Sequence, residues 1–294
     1  MIDGDFFQSL AHVTYSDNME LPDLENIIMY AKTEDQCEAI EFIYDRLMGF
    51  DERYVLITHN SDRSSCDKSF WQETLVPKID GEIEISNLVK WYACNSASYG
   101  FGKIEPIPIG FENTRWHPKK RDILKRVKEE FDQNPVQRSL TPFACFNPKT
   151  YPQERENLQH LINNGYIDAH SANCVNGIKY EEYIRNLFTH RFCLCPRGNG
   201  IDTHRMWEAL YCGCIPIVKP YRTHLDLNWK AGLTGVFRKG IRLPIVKVRN
   251  WLEVTEGNLR YIDSEMPEFT SSDIPMLTTK FWQDEIEGAF ENAN

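Results

Sequence analysis

Apolar and amphipathic segments alternate along the first half of the chain. Segments rich in β-branched and aromatic residues predict strands at 25–32, 53–60, 84–95 and 103–113. Between them, residues 33–49 and 70–79 carry apolar positions at helical spacing, and the first of these helices is expected to begin at Thr33 and end at Gly49. Strands that alternate with helices favour βαβ units and therefore a mostly parallel sheet.

A second series of the same kind follows a charged connecting segment. Residues 114–138 are rich in Lys, Arg and Glu and end on Asn-Pro and a short tail, which predicts a solvated helix and a turn. Beyond it the pattern predicts strands at 139–147 and 166–171 and helices at 151–165, 179–191, 248–262 and 278–290. We therefore predict an α/β protein with two Rossmann-like domains that face a cleft. The predicted units are residues 1–135, residues 136–275 and a C-terminal helix, residues 276–294, that crosses back to the first domain.

Charge and hydropathy narrow the classes of partner. The chain of 294 residues has a net charge of −10, which argues against nucleic acid, because phosphate backbones are bound by clustered Lys and Arg. No apolar run approaches the length of a membrane span, and the first residues lack the basic and apolar regions of a signal peptide. We expect no membrane span and a cytoplasmic location.

Cysteine usage favours reduced thiols. The nine cysteines are odd in number and accompany no export signal, so a disulfide framework is not expected. Two Cys-x-Cys pairs, Cys193/Cys195 and Cys212/Cys214, leave a four-cysteine zinc site open as an alternative. Small core residues are the preferred interpretation, because zinc pairs usually show Cys-x-x-Cys spacing on turns.

One stretch combines two apolar runs with a glycine loop and a helix: RFCLCPRGNGIDTHRMWEALYCGCIPIV, residues 191–218. The first run predicts a buried parallel strand that stops at a proline, and the loop with Gly198 and Gly200 follows it. Such a loop lets backbone N–H groups approach an anion. The helix that begins near Asp202 or Thr203 adds the positive potential of its N-terminus. The arrangement suits a diphosphate.

Charged side chains in the same stretch fit a nucleotide. Arg197 and Arg205 can donate charge-assisted hydrogen bonds to phosphate oxygens. Glu208 lies on the same helix face as Arg205 and can accept ribose hydroxyls. Spacing alone equally allows an Arg205–Glu208 ion pair on a surface helix. The stretch lacks the third glycine of a dinucleotide fingerprint, which weakens an oxidoreductase reading, and it lacks the lysine of a phosphate-binding Walker loop.

The order of residues in 191–218 resembles the signature of the exostosin-like glycosyltransferases, which are grouped as glycosyltransferase family 47. In that signature a strand ends in Pro-Arg-Gly, and Asp-Thr-His-Arg, Trp-Glu-Ala and Gly-Cys-Ile-Pro-Ile-Val follow. Elsewhere the likeness is confined to the rhythm of elements and short pieces such as IPIGFEN, residues 107–113. The positions that match the donor-binding part of the signature are Arg197, Gly198, Thr203, Arg205 and Glu208.

The resemblance implies a GT-B fold, with a nucleotide-sugar donor on the second domain, an acceptor on the first and an inverting reaction. It implies a UDP-sugar, with UDP-xylose the first choice, and a β-linked product on an oligosaccharide hydroxyl such as a fucose of a protein-linked glycan. A chain without an anchor is expected to be a microbial or large-virus member that acts in the host cytoplasm. A catalytically silent nucleotide-sugar-binding partner of another transferase is the alternative.

An inverting transfer needs a base that takes the proton of the acceptor hydroxyl. Three residues at predicted strand ends of the first domain are candidates: His59, Asp62 and Glu112. Arg155 and His170 follow strands of the second domain and are candidate donor-binding residues, although each also suits a structural or solvated role. No metal or other cofactor is expected, because the sole Asp-x-Asp motif, residues 3–5, lies at the N-terminus.

Overall fold

The apolar runs of the first half form one parallel sheet. The computed structural model describes residues 1–46, 51–60, 85–95, 103–172, 178–219, 235–236 and 242–291. The strands of this sheet lie in chain order, and every neighbouring pair is parallel. They are β1 (Val13–Thr14), β2 (Asn26–Lys32), β3 (Arg53–His59), β4 (Leu88–Cys94) and β5 (Ile104–Ile107). All five interior residues of β2 are buried, which is why this strand reads as a continuous apolar run.

Two short helices accompany the first sheet within the described residues. Helix α1 (Gly4–Ser9) is capped by Asp3, whose carboxylate accepts a hydrogen bond of 2.8 Å from the N–H of Phe6. Thr33 is not the N-cap of a helix as predicted: it opens a 3-10 turn, Thr33–Asp35, and α2 (Gln36–Asp45) follows. The helix predicted at 70–79 lies outside the described residues.

The second series forms a separate parallel sheet with a different strand order. Its strands are β6 (Phe143–Ala144), β7 (His170–Ser171), β8 (Phe192–Leu194), β9 (Ile215–Val218) and β12 (Val246–Lys247), in the order β12-β9-β8-β6-β7. A short antiparallel pair, β10 (Gly235–Val236) and β11 (Arg242–Leu243), stands apart from it. The prediction of a mixed α/β fold with two parallel sheets is confirmed.

The strand order of the second sheet contains a reversal that positions the site. Strand β6 lies between β7 and β8, so the chain leaves β6 toward one edge and later continues on its other side. In open parallel sheets, ligands bind outside the carboxyl ends of the strands at such a switch point. The helices of this part are α4 (Pro152–Asn163), α5 (Tyr180–Thr189), α6 (His204–Tyr211) and α7 (Glu256–Glu265). Helix α6 follows β8 and therefore begins at the switch point.

Two helices connect the sheets. Helix α3 (Pro118–Gln133) is the predicted charged helix, and it packs along α5 through ion pairs such as Arg126–Glu181 at 2.6 Å and Arg185–Glu130 at 2.6 Å. Helix α8 (Thr279–Glu287) contacts first-sheet elements: Tyr92 on β4 donates a hydrogen bond of 2.8 Å to the carbonyl of Glu285. The exact domain boundary near residue 135 stays a prediction.

Within the described residues, every helix is too short or too polar to cross a bilayer.

Candidate active site

The carboxyl ends of β6 and β8 border a cavity of about 430 Å³, which we call the switch-point cavity. Residues just after β6, Cys145 to Asn147, form one wall, and the glycine loop after β8 forms another. The first turn of α6 also lines the cavity, as do Ile109 and Glu112, which follow the last strand of the first sheet. Further lining residues come from the helices: Lys120, Arg155, Tyr180 and Tyr183. Six of the predicted donor-binding residues are in this lining: Arg155, Gly198, Gly200, Thr203, Arg205 and Glu208.

Close approach requires a glycine at position 200 and leaves little room for a side chain at position 198. A Cβ at Gly198 would lie 3.3 Å from the guanidinium Nη2 of Arg155, and a Cβ at Gly200 would lie 2.9 Å from the side-chain nitrogen of Asn95. The N–H of Gly198 donates to the carbonyl of Gly200 at 3.0 Å, which closes the loop on itself. Glycine lets the backbone pass between an arginine and the neighbouring sheet.

The loop is fastened to the first sheet. The side-chain oxygen of Asn95, a buried residue after β4, accepts from the N–H groups of Ile201 and Asp202 at 3.1 and 2.9 Å. In return the carboxylate of Asp202 accepts from the N–H of Ile109 at 2.8 Å. The predicted start of the helix is correct, since Thr203 occupies the N-cap position, but its side chain forms no capping bond. Asp202 instead forms hydrogen bonds that join the glycine loop to the first sheet.

Two arginines give the switch-point cavity its positive charge. Arg155, 5 % exposed, donates to the carbonyls of Arg197 and Asn147 at 2.7 and 3.2 Å. Burial, and then the charge of Arg205, lower the pKa of Arg155 to about 10, so the guanidinium is still charged at neutral pH. The Nε atom of Arg205 is buried and has no hydrogen-bond partner among the described residues. Arg155 is bonded only to neutral carbonyls, so its charge is not compensated by these bonds and favours an anion.

Glu208 is held by two tyrosines rather than by Arg205. Its carboxylate is buried and accepts from the hydroxyl of Tyr180 at 2.8 Å and from that of Tyr183 at 2.9 Å. Burial, and then the charge of Glu208, raise the pKa of both tyrosines, which keeps the hydroxyls protonated as donors. The alternative of a surface Arg205–Glu208 ion pair is therefore wrong. Each carboxylate oxygen can accept one further hydrogen bond from a ligand.

Two predicted donor-binding residues lie outside the cavity lining. His170 is on the exposed strand β7, where its Nδ1 is 3.0 Å from Nε2 of His190. Arg197 points along the loop: its guanidinium lies 4.2 Å from the ring centre of Tyr151 and donates to the carbonyl of Asn199 at 2.8 Å. The backbone carbonyl of Arg197 accepts a hydrogen bond from the guanidinium of Arg155, and this bond holds the loop in place. Direct donor contacts by either residue remain predictions.

The three candidate bases occupy different situations. His59 is fully buried, its Nδ1 accepts from the N–H of Asn60 at 2.7 Å and its Nε2 therefore donates to the carbonyl of Pro108 at 3.0 Å. Burial lowers the pKa of His59 to about 4, so the ring is neutral at physiological pH. Asp62 lies outside the described residues. Glu112 is partly exposed, lines the switch-point cavity and pairs with Lys120 at 3.4 Å.

His204 is a site residue that sequence reasoning missed. Its Nδ1 donates to the carbonyl of Gly110 at 2.8 Å, which leaves Nε2 as an acceptor 4.0 Å from the carboxylate of Glu112. Both side chains line the switch-point cavity and also a neighbouring cavity of about 610 Å³ beside the first sheet. The signal was present in the sequence: a histidine at the first position of the helix that follows the glycine loop.

The cysteines differ in part from expectation. Cys145, in the cavity wall, is disulfide-bonded, so the expectation of reduced thiols is wrong for this residue. Cys193, Cys195, Cys212 and Cys214 are free and buried, and burial raises the pKa of the last three. Among the described residues, no cluster of three or more His, Cys, Asp or Glu is arranged to hold a metal ion.

A larger cavity of about 670 Å³ lies at the other end of α6, and its cations are already bonded. Arg138 donates to the carbonyls of Gly213 and Cys212. Arg191 pairs with Asp263 at 2.8 Å and donates to the carbonyl of Met266 at 2.7 Å. These arginines join α6 and the tail of the chain, so the switch-point cavity is the better candidate for an anionic ligand.

The fold and the site define an α/β protein with an arginine-lined cavity at the switch point of a parallel sheet, an arrangement that suits an anionic ligand. Comparison with known proteins shows that residues 113–253, just under half of the chain, match the exostosin GT47 domain. The resemblance that residues 191–218 carry to the exostosin-like glycosyltransferases is confirmed for this part of the chain.

Two plant proteins of Arabidopsis thaliana are similar over short segments. Probable glycosyltransferase At3g07620 is 34 % identical over 73 residues, which are 24 % of this chain and 15 % of that protein. Probable glycosyltransferase At5g03795 is 36 % identical over 61 residues, which are 19 % of this chain and 11 % of that protein. The match therefore covers less than a fifth of either relative. Both relatives are named as probable glycosyltransferases.

Proposed function

We propose that this protein is a glycosyltransferase that binds a nucleotide-diphosphate sugar in the switch-point cavity and transfers the sugar to an acceptor on the first-sheet side. The observation that carries the proposal is the pair Arg155 and Arg205 within an exostosin GT47 domain. A diphosphate leaving group gains negative charge as the sugar departs, and fixed cations in a partly dry site stabilise that charge. The proposal includes a GT-B arrangement, with the donor on residues 136–275 and the acceptor on residues 1–135.

The donor half of the site suits a nucleoside diphosphate. The first turn of α6 faces the cavity with the positive end of the helix, and the two arginines supply the charge that a metal supplies in other transferases. Glu208, oriented by Tyr180 and Tyr183, has acceptor capacity left for ribose hydroxyls. We propose a metal-independent reaction with a UDP-sugar, and UDP-xylose is the first choice to test.

The reaction we propose is a single inverting displacement. Glu112 takes the proton of the acceptor hydroxyl, the acceptor oxygen bonds to the anomeric carbon, and the bond to the diphosphate oxygen breaks with its electrons remaining on that oxygen. Glu112 is preferred over His59 because it borders both cavities, whereas both ring nitrogens of His59 are bonded to the backbone. Nε2 of His204 lies 4.0 Å from the carboxylate of Glu112 and can accept a hydrogen bond from a neighbouring hydroxyl of the acceptor sugar. A β-linked product on a fucose of a protein-linked glycan is the specific transfer to test first.

Calorimetric titration tests the donor site. UDP, UDP-xylose, UDP-glucose and GDP-fucose are titrated into the protein with EDTA present. We expect a UDP-sugar to bind, and Arg205→Ala to weaken it by about tenfold to a hundredfold, since a hydrogen bond to a charged group contributes roughly 1.5–3 kcal/mol. Arg260→Ala, which removes an exposed arginine paired with Glu256 on α7, is the matched control and should bind normally.

Three results would count against this proposal. If none of the nucleotides binds, the glycine loop is part of the scaffold only. If Arg205→Ala binds as well as the unaltered protein, the diphosphate is held elsewhere. A UDP-sugar that binds but is never transferred would favour the silent partner of another transferase.

A further inference from the structure

The cavity of about 670 Å³ at the far end of α6, which we call the helix-end cavity, is lined by the last turns of four helices. These turns contribute Phe131 of α3, Phe188 of α5, Tyr211 of α6 and Asp263 of α7. The carboxyl end of a helix carries a partial negative charge, which favours cations nearby. None of the four helices has a basic residue in its last turn. The cations that balance these helix ends must therefore come from elsewhere in the lining.

Three cations line the helix-end cavity within the described part of the chain, and each is engaged by protein groups. Arg191, 2 % exposed, donates to two carboxylates and to two backbone carbonyls. Arg138 donates to the two carbonyls just beyond α6. Lys128 pairs with Asp132 at 2.5 Å. An anionic ligand would have to replace these bonds, so the cavity does not suit an anion.

Carboxylates outnumber the cations in the same described lining. There are four of them: Asp132, Asp263, Glu268 and Asp273. Asp132 and Glu268 are open to solvent, with 56 and 72 % of the side chain exposed. A carboxylate has about four lone-pair sites, so each keeps acceptor capacity after its bond to a basic residue. The helix-end cavity therefore offers acceptors to a ligand that carries hydrogen-bond donors and positive charge.

Aromatic and aliphatic side chains form the apolar wall of the helix-end cavity. The rings of Phe131 and Phe188 stack with their centres 4.9 Å apart and their planes at 9°. Phe269, Leu140 and Val136 add apolar surface, and Val136 is 47 % exposed. Ring faces attract cations, and apolar surface packs against methylene groups as it does along a lysine stem. The wall therefore suits a ligand that combines ammonium groups with an aliphatic chain, whereas a bare metal ion would leave it uncovered.

We propose that the helix-end cavity binds an aliphatic polyamine, in which methylene chains join two or more ammonium groups. The ammonium groups bind Asp132 and Glu268, and the methylene groups pack on the apolar wall. The cavity is within the range of about 300–1,000 Å³ that is typical of small-molecule sites, which favours a small molecule over a protein segment. Asp132 is on α3 and Glu268 follows α7, so a bound polyamine joins these two parts and stabilises the folded chain. The site is separate from the switch-point cavity and does not depend on the proposed transferase.

Calorimetric titration of the full chain at low salt tests the assignment. The probes are spermidine, Mg²⁺ and lysyl-lysine amide, a peptide with the same charge as spermidine. We expect one spermidine to bind, more tightly than either of the other probes, and to raise Tm. Asp132→Asn/Glu268→Gln should weaken spermidine binding by about fivefold to tenfold, since each exposed charge contact contributes modestly.

A second pair of carboxylates outside this cavity provides the matched control. Asp284→Asn/Glu256→Gln removes the same charge from side chains of similar exposure, 59 and 75 %, and should bind spermidine normally. Asp132→Asn alone leaves both ion pairs of Arg191 intact and should weaken binding by about threefold. A thermal melt of each variant without ligand shows whether the fold is intact, and this single variant decides the question if the double variant is unstable.

Four results would overturn the assignment. The first is that spermidine does not bind, and the second is an equal loss of binding in the control, which would mean attraction by the net charge of −10 alone. The third is Mg²⁺ binding as tightly as spermidine, which would leave the apolar wall without a role. The fourth is tighter binding of lysyl-lysine amide, which would assign the cavity to a basic protein segment.

Discussion

Replacing Asp202 by asparagine tests the contact that ties the glycine loop to the first sheet. Asp202 is 4 % exposed, and its carboxylate accepts from at least three donors. The donors are the N–H of Ile109 at 2.8 Å, the N–H of Thr203 at 2.8 Å and the indole Nε1 of Trp207, 2.9 Å from both oxygens. Asparagine has the same shape but presents one oxygen and one NH₂ group. Whichever way the amide turns, its NH₂ faces a backbone donor.

The size of the effect follows from this donor conflict. The variant loses one hydrogen bond to a charged acceptor, about 1.5–3 kcal/mol, and leaves a buried N–H unpaired, about 1–3 kcal/mol. Allowing for partial relaxation, we expect the free energy of unfolding to fall by about 3 kcal/mol. For a chain of this size that lowers Tm by roughly 6–12 °C.

Urea and thermal unfolding of Asp202→Asn and the unaltered protein measure this loss. Asp168→Asn, at an exposed aspartate, is the matched control and should stay within about 0.5 kcal/mol of the unaltered protein. UDP binding should weaken in Asp202→Asn, because the loop that lines the switch-point cavity is released. If Asp202→Asn unfolds like the control, the carboxylate does not fasten the loop and the described contact between the sheets is refuted.

Three further predictions address single groups. Because the pKa of His59 is lowered to about 4, the unfolded chain takes up this proton first as the pH falls below about 6.5. The free energy of unfolding therefore falls by up to about 3 kcal/mol between about pH 6.5 and pH 4 because of this group. Measured by urea unfolding, the stability of His59→Gln should depend less on pH over this range than that of the unaltered protein. An equal pH dependence would contradict a buried neutral ring. Tyr183→Phe removes a hydrogen bond to buried Glu208 and should weaken UDP binding about tenfold by calorimetry, and unchanged affinity would mean that Glu208 needs no positioning. Glu112→Gln should lower kcat about a hundredfold or more without changing the KM for the donor, and His204→Gln should lower kcat less. A normal kcat in Glu112→Gln would mean that another residue is the base.

The elements that pattern reasoning predicted best are those whose burial is simple. Strand β2 is buried on both faces and so appears as an uninterrupted apolar run. Helix α6 was predicted to start at Asp202 or Thr203, and it begins at His204 directly after its N-cap. The glycine loop and the short polar residues there are strong local signals, so the start of the helix can be predicted without knowledge of the rest of the fold.

Features that depend on contacts between residues far apart in the chain could not be predicted from the sequence pattern. Strand 139–147 was predicted long, yet only Phe143–Ala144 pair as a strand, because pairing depends on which neighbours the chain brings alongside. His59 looked like a cleft residue because strand ends carry polar groups, but the carbonyl that binds its ring comes from Pro108. Spacing allowed Glu208 either to accept ribose hydroxyls or to pair with Arg205, and it could not reveal the two tyrosines that bind Glu208 from another helix.

Sugar transfer itself is the most direct measurement. The full chain is incubated with UDP-xylose or UDP-glucose and a set of neutral oligosaccharides, and the products are weighed by mass spectrometry. The account predicts that one oligosaccharide gains the mass of a single sugar residue, with EDTA present, and that Arg205→Ala loses this product while Arg260→Ala keeps it. A protein that binds a UDP-sugar yet adds no mass to any oligosaccharide would contradict the transferase and leave a nucleotide-sugar-binding protein.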